Sequence, residues 1–370
     1  MNENNKKTLD KILRISLAVI LLIYLGFYYI RTNPTFKTKF ARDITLFANS
    51  KLTANGIYSK SNLILKLSLA INPDDAFTYQ VLGYNYYQLA YKYVHKDKIK
   101  TFYLKKAFTY NEKALSYAPK HHEIVDNIGL CYILDEKFDK AIEMFNRSLK
   151  IKPDDSLAVQ ELAVIYSYYK IDYPKALKYM ETYMKLQPNN INAYFSKAWI
   201  LSALDRNKEA IEYYNKYLEH FPYSVAALVN ITGCAIDIKD YENALKYLER
   251  GLALNRHSYY LLSHKIDILA NMKKYDEAKT VARELIDNSQ YYGAHLGYFR
   301  LAKIQQIEGN STEAEANFKL AKETAEEFLN GEYCKGKDYD LNDNDARCRN
   351  IGLFLKKFDE KKNSKDFYFD

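Results

Sequence analysis

What the chain lacks narrows its chemistry. Its four cysteines include no C-x-x-C pair, so a structural zinc site of the usual spacing is excluded. Glycine is sparse, and Gly336–Lys337 stands without the rest of a phosphate-cradling motif. No local spacing sets a nucleophile beside a base. Lys+Arg 54 against Asp+Glu 46 leaves a net charge of +8, but both signs are interleaved and no basic run carries clustered aromatics. That pattern argues against nucleic acid as a partner. Two acidic or histidine clusters also fall short of metal sites. His121, His122 and Glu123 are adjacent at a helix start and cannot all face one ion, so they read as an exposed cap. Residues 338–345 resemble a calcium loop, but the required Gly is Asp343 or Asp345 and the closing Glu is Arg349 or Ile351. Neither a metal nor a cofactor is expected, and the chain does not read as an enzyme.

What is present is a period. Pro119, Pro153, Pro188 and Pro222 fall 34, 35 and 34 residues apart, and Arg256 and Gln290 continue the step. The same residue types recur at the same offsets. Pro119 is followed by Ile128, Gly129, Tyr132, Ala141, Phe145 and Ser148. Pro73 is followed by Leu82, Gly83, Tyr86, Ala107, Asn111 and Ala114. Pro153 leads to Leu162, Ala163, Tyr166, Ala176 and Met180; Pro188 leads to Ala198, Leu201, Ala210 and Tyr214. On these residues the chain resembles the tetratricopeptide repeat (TPR) family, a helix–turn–helix unit of about 34 residues. The resemblance implies an all-α fold: a right-handed TPR α-solenoid of helix–turn–helix repeats, here with an N-terminal transmembrane helix.

The pattern has a physical cause. The small residue of each first helix (Gly83, Gly129, Ala163, Ala198) and the Ala of each second helix (Ala107, Ala141, Ala176, Ala210, Ala244, Ala278, Ala314) sit where two helices cross most closely. Tyr, Phe and Leu fill the space between units. Proline ends the second helix because it lacks an N–H and clashes with the preceding turn. Asp74–Asp75, Asp154–Asp155 and Asn189–Asn190 suit the next helix start, where short acceptors meet free N–H groups. Seven units are readable over 74–326. The first carries a 12-residue insertion around Tyr91–Lys100, expected to lengthen its helices or their turn. In the fifth, Thr232 and Gly233 compete for the small position; in the sixth it is Ile266. The seventh, with Ala302, Ala314 and Phe318, needs a two-residue shift. Upstream, Ser61–Pro73 reads as a second helix, with Phe40–Ala54 as its degenerate partner.

The ends read differently. Residues 12–30 form a 19-residue run whose only charge is Arg14, close to the length that crosses a bilayer, with Tyr28 and Tyr29 at interfacial positions. No small-x-small cleavage site follows it, which favours an uncleaved single-pass anchor over a signal peptide. Flanking charges are nearly even and do not set the orientation. Cys131 and Cys234 read as core residues. Cys334 and Cys348, 14 apart in a polar tail, read either as a disulfide in an oxidising compartment or as two free thiols. An extracytoplasmic soluble domain at a bacterial cell membrane is the weaker corollary. Ala346–Lys357 reads as an amphipathic capping helix. The divisions expected are a tail (1–11), an anchor (12–30), a linker with a degenerate repeat (31–73), a solenoid (74–326) and a C-terminal cap (327–370).

Function is therefore sought on the repeat surface. The resemblance implies a concave groove lined by first helices, through residues three before and one after the small position. Here these are Gln80 and Tyr84, Asp126 and Leu130, Gln160 and Val164, and Phe195 and Trp199. The Lys, Arg and Asn that grip a C-terminal carboxylate in some such families are missing. Amides, aromatics and one acid suit other proteins or peptides as partners, bound as extended segments or helices. Trp199 reads either as a hot spot or as a packing residue. The other functional reading is a receptor for glycans or small ligands, with Tyr84, Tyr87 and Trp199 stacking on sugar rings. Oligomeric state is not legible.

Overall fold

The computed structural model describes residue 26 and residues 32–288, 293–331, 334 and 346–364. Among these residues there are 17 α-helices and no β-strand, in a TPR-like α-solenoid arrangement. The helices form two compact units, 1–162 and 163–370. Among the described residues no helix is long and apolar enough to cross a membrane. The apolar run 12–30 lies outside them except for Gly26.

In the first unit, α1 (Pro34–Phe47) passes into a π-helical turn (Ala48–Thr53), then α2 (Tyr58–Ile71). A buried polar seam holds them to the next helix: the Thr45 hydroxyl lies 2.8 Å from that of Ser68 and 2.6 Å from that of Thr78. Helices α3 (Ala76–Lys92) and α4 (Asp97–Tyr117) form a long hairpin of 17 and 21 residues. The next pair, α5 (His122–Leu134) and α6 (Phe138–Ile151), has 13 and 14. The insertion thus lengthens both helices of its unit. Asp75 caps α3 by accepting from the Thr78 N–H at 3.1 Å. Asp155 accepts from the Leu157 N–H at 3.1 Å where α7 (Ser156–Tyr168) begins.

The crossing positions are as tight as their small residues imply. A Cβ on Gly83 would meet the Asn111 side chain at 2.2 Å, and one on Gly129 would meet the Phe145 ring at 2.8 Å. Phe145 is fully buried and cannot swing aside without opening its own cavity. Gly129→Val should therefore destabilise the protein by about 1–3 kcal/mol. Urea unfolding checks this; an unchanged midpoint would show that the crossing can relax.

The second unit continues with α8 (Tyr173–Leu186), α9 (Asn192–Ser202), α10 (Asn207–His220), α11 (Val225–Asp237), α12 (Tyr241–Leu254), α13 (Tyr259–Asn271) and α14 (Tyr275–Asn288). It ends with α15 (Ala294–Ile307), α16 (Ser311–Asn330) and α17 (Ala346–Asn363). Thr232 occupies the contested small position, fully buried, its hydroxyl donating to the Leu228 carbonyl at 2.6 Å. Ile266 is accommodated, fully buried among Leu262, Leu269, Ala278 and Leu285. The two-residue shift of the last hairpin follows a break at Gly293, whose φ of 114° begins α15. Helix α17 runs to Asn363, beyond the expected Lys357. Phe354 and Phe358 of α17 meet Phe299 edge-on at 5.6 and 5.5 Å. The buried Lys303 ammonium donates to the carbonyls of Lys361, Lys362 and Ser364, closing the end of α17.

A second periodic feature escaped the sequence. Glu136, Ile171, Asp205, Lys239, Lys273 and Gly309 all have positive φ, at the turn inside each hairpin from α5–α6 onward. The residue after each donates its N–H to the carbonyl five back, as Lys137 to Tyr132 at 2.9 Å, except at Ile171, where the bond runs six back, from Asp172 to Tyr166 at 2.9 Å. This is the Schellman closure, which favours glycine, yet only one of the six positions holds it. Ile171 is the most strained, because a β-branched side chain crowds its backbone at φ 51°. It is 54% exposed, so little packing offsets the strain. Ile171→Asn should stabilise by about 1 kcal/mol. Thermal unfolding checks the direction, and a lower midpoint would reverse it.

Burial of titratable groups gives this unit an acid-sensitive point. His295 is 4% exposed against Phe354, and burial first, then the Arg300 charge, hold its imidazole down to about 3. In the unfolded chain histidine titrates at about 6.5. Below that pH the unfolded state takes a proton that the folded state refuses, so stability present at neutral pH is lost on acidification. The loss reaches about 2 kcal/mol between about pH 7 and pH 5. Urea midpoints at both pH values should show at least that slope, and His295→Leu should remove its share while His264, held down by the same causes, keeps its own. An identical slope in the variant would assign the acid sensitivity elsewhere.

Candidate functional site

The first unit holds a cavity of about 410 Å³. Its wall from α3 is Phe77, Gln80, Val81 and Tyr84; its floor from α5 is His122, Glu123, Asp126 and Asn127. Asn49 closes one side, and Lys152, Asp155 and Leu157 close the other. One turn of α3 supplies Gln80 and Tyr84, and the register of the repeat sets Asp126 against them. Of the residues expected to line a groove, these three meet in the cavity.

The floor is polar. Gln80 is buried and donates from Nε2 to Glu123 Oε2 at 2.8 Å. His122 and Asp126, four apart, share one face of α5, and Asp155 reaches them from the link before α7. His122 Nδ1 lies 2.9 Å from Asp155 Oδ2 and 3.5 Å from Asp126 Oδ2. Ser148 of α6 donates to the same Asp155 oxygen at 2.9 Å. Burial pushes the Asp126 carboxyl up to about 8; a Ser148 hydrogen bond opposes the rise, and Asp155 and Glu123 reinforce it. Burial acts upward on Asp155 too, but hydrogen bonds from Asp126, Ser148 and His122 outweigh it and hold that carboxyl below its ordinary value.

This corrects the sequence reading of 121–123 as an exposed cap. His121 and Glu123 are exposed, but the His122 ring turns inward and is only 23% exposed. The i, i+4 spacing of His122 and Asp126 was the available signal. Asp155 gave none, because an acid at a helix start is fully explained as a cap.

The other expected groove residues lie elsewhere. Leu130 and Gln160 are half-buried in the first unit. In the second, Val164 is half-buried, and Phe195 packs edge-on against Tyr214 and Tyr217 of α10 at 5.5 and 5.2 Å. Trp199 stacks on Tyr168 at 4.7 Å and meets Tyr173 edge-on at 5.9 Å. Cys334 and Cys348 are joined by a disulfide, while Cys131 and Cys234 are free and buried.

A family model for the tetratricopeptide repeat matches residues 122–155 and 191–220. Together these two segments make up less than a fifth of the chain. The first of them contains His122, Asp126 and Asp155. Among curated proteins, anaphase-promoting complex subunit 3 of Schizosaccharomyces pombe is 31% identical over 108 residues, 29% of this chain. The match spans only 16% of that relative's length. Among solved structures, Pseudomonas aeruginosa pilF has a TM-score of 0.50 at 17% identity, covering 60% of this chain and 96% of its own. A tetratricopeptide repeat protein from Parabacteroides merdae has a TM-score of 0.45 at 14% identity, covering 72% and 98%. YrrB, a TPR protein with an unusual peptide-binding site, has a TM-score of 0.45 at 19% identity, covering 54% and 97%. At these identities the likeness is one of fold.

Proposed function

We propose that the chain is a membrane-anchored TPR scaffold that binds a segment of a partner protein in the cavity between α3 and α5, assembling that partner at the bilayer. TPR proteins bind partner proteins and peptides as scaffolds. The observation that carries the reading is the composition of the cavity: Phe77, Val81, Tyr84 and Leu157 offer apolar contact, while Gln80, Asn127 and Glu123 offer hydrogen bonds. That mixture suits a peptide, whose backbone needs polar partners and whose side chains need apolar ones. The glycan reading draws on the same tyrosines, but Tyr84 and Tyr87 are tilted by 40° and one Trp199 face is covered by Tyr168. Anchoring is supported by the apolar run 12–30 and its interfacial tyrosines. An oxidising compartment is supported by the Cys334–Cys348 bond.

A photo-crosslinking residue at position 84 of the full chain, expressed in its own cell, tests both parts. One protein partner should be captured in the membrane fraction, and Gln80→Ala should reduce the capture at least tenfold. Deleting 12–30 should move the chain to the soluble fraction. Capture unaffected by Gln80→Ala would reject the cavity as the binding site.

A further inference from the structure

The cavity floor holds more than a peptide site requires. His122 Nδ1 and one carboxylate oxygen each from Asp126 and Asp155 all lie within 4.8 Å of one another. We infer that His122, Asp126 and Asp155 form a binding site for a divalent first-row transition ion of the zinc, manganese or cobalt kind, with one position open to the cavity.

Three observations carry this. The first is distance. A tetrahedral ion with bonds of about 2.1 Å separates its ligand atoms by about 3.4 Å. The His122 nitrogen stands 2.9 and 3.5 Å from the two carboxylate oxygens, so an ion enters with small adjustments. The second is an unmet acceptor. Asp126 is 2% exposed and borders the cavity, yet its Oδ1 accepts no hydrogen bond. A buried acceptor without a partner costs about 1–3 kcal/mol, and an ion held at Oδ2 and shared by both oxygens of the Asp126 carboxylate supplies the missing interaction. The third is support around the ligands. The Leu157 N–H holds Asp155 Oδ1 at 3.1 Å and the Ser148 hydroxyl holds Oδ2 at 2.9 Å, fixing that carboxylate from behind. One imidazole with two carboxylates is a mixed set. It suits the borderline ions named better than calcium, which prefers six to eight oxygens.

The inference stands apart from peptide capture, because the ion needs only the floor. Its open position would face whatever enters the cavity. The test uses the full chain in detergent, stripped with chelator and titrated with Co²⁺, whose visible absorption reports coordination. One equivalent should saturate the spectrum. His122→Gln and Asp126→Asn should each weaken binding at least tenfold, whereas His121→Gln, exposed and outside the cavity lining, should not. Far-ultraviolet circular dichroism and an unchanged thermal midpoint show that the variants fold, and X-ray absorption on the wild-type complex should find nitrogen and oxygen neighbours near 2.1 Å without sulfur. Binding without saturation at one equivalent, or equal binding in His122→Gln, would overturn the assignment.

Discussion

Asp267→Ala should destabilise the second unit by about 3–5 kcal/mol, among the largest single-residue effects in the molecule. Asp267 of α13 and Arg300 of α15 form a two-pronged pair, Nε to Oδ1 and Nη2 to Oδ2, both at 2.8 Å. They are 0% and 3% exposed. Removing the carboxylate strands a guanidinium where water cannot reach it, and arginine cannot escape by losing its proton. The Arg300 charge, with burial, already keeps His264 and His295 neutral.

The pair also separates two meanings of stabilisation. Breaking it is costly because one charge is left alone, not because the intact pair contributes as much. Asp267→Leu with Arg300→Met should recover most of the loss, since both desolvation costs vanish together. Urea unfolding of the three variants forms the test. Asp267→Ala costing less than about 1 kcal/mol would mean that water reaches Arg300.

Asp267 and Arg300 mark where sequence reasoning ran out. They are 33 residues apart, close to one period, so the repeat itself predicts that they face each other in successive first helices. Side-chain type argued the opposite, because charged residues usually read as a solvated face. His295 and Lys303 were hidden by the same assumption. The repeat was legible because helix crossings demand small residues at a fixed interval, and Gly83, Gly129 and the alanines declare that demand directly. The hairpin turns were not, since a left-handed backbone at Glu136, Ile171 or Lys239 leaves no mark when glycine is not used. At the cavity, Gln80, Tyr84 and Asp126 came from what the family resemblance implies, carried along the register of the repeat. His122 and Asp155 did not, because their partnership depends on how one loop folds over a helix start.

Loss of the Cys334–Cys348 disulfide should cost about 3 kcal/mol, the chain-entropy value for a closed loop of about 15 residues. The two cysteines are 14 apart, so the bond removes from the unfolded chain the freedom of nearly the whole polar connection between α16 and α17. Without it, docking of α17 must itself order that connection. The bonded sulfurs are also fully buried in the cluster that holds Phe299, Phe318, Ile351 and Phe354. Release therefore loosens the terminal cap, and a solenoid whose end is uncapped exposes the apolar flank of its last hairpin. The Cys334→Ala, Cys348→Ala chain should unfold at lower urea, and reductant should shift the wild type to the same midpoint while leaving the variant unchanged. Hydrogen exchange should localise the change to α16 and α17. A midpoint indifferent to both treatments would mean that Phe354 and Phe358 alone hold the final helix in place.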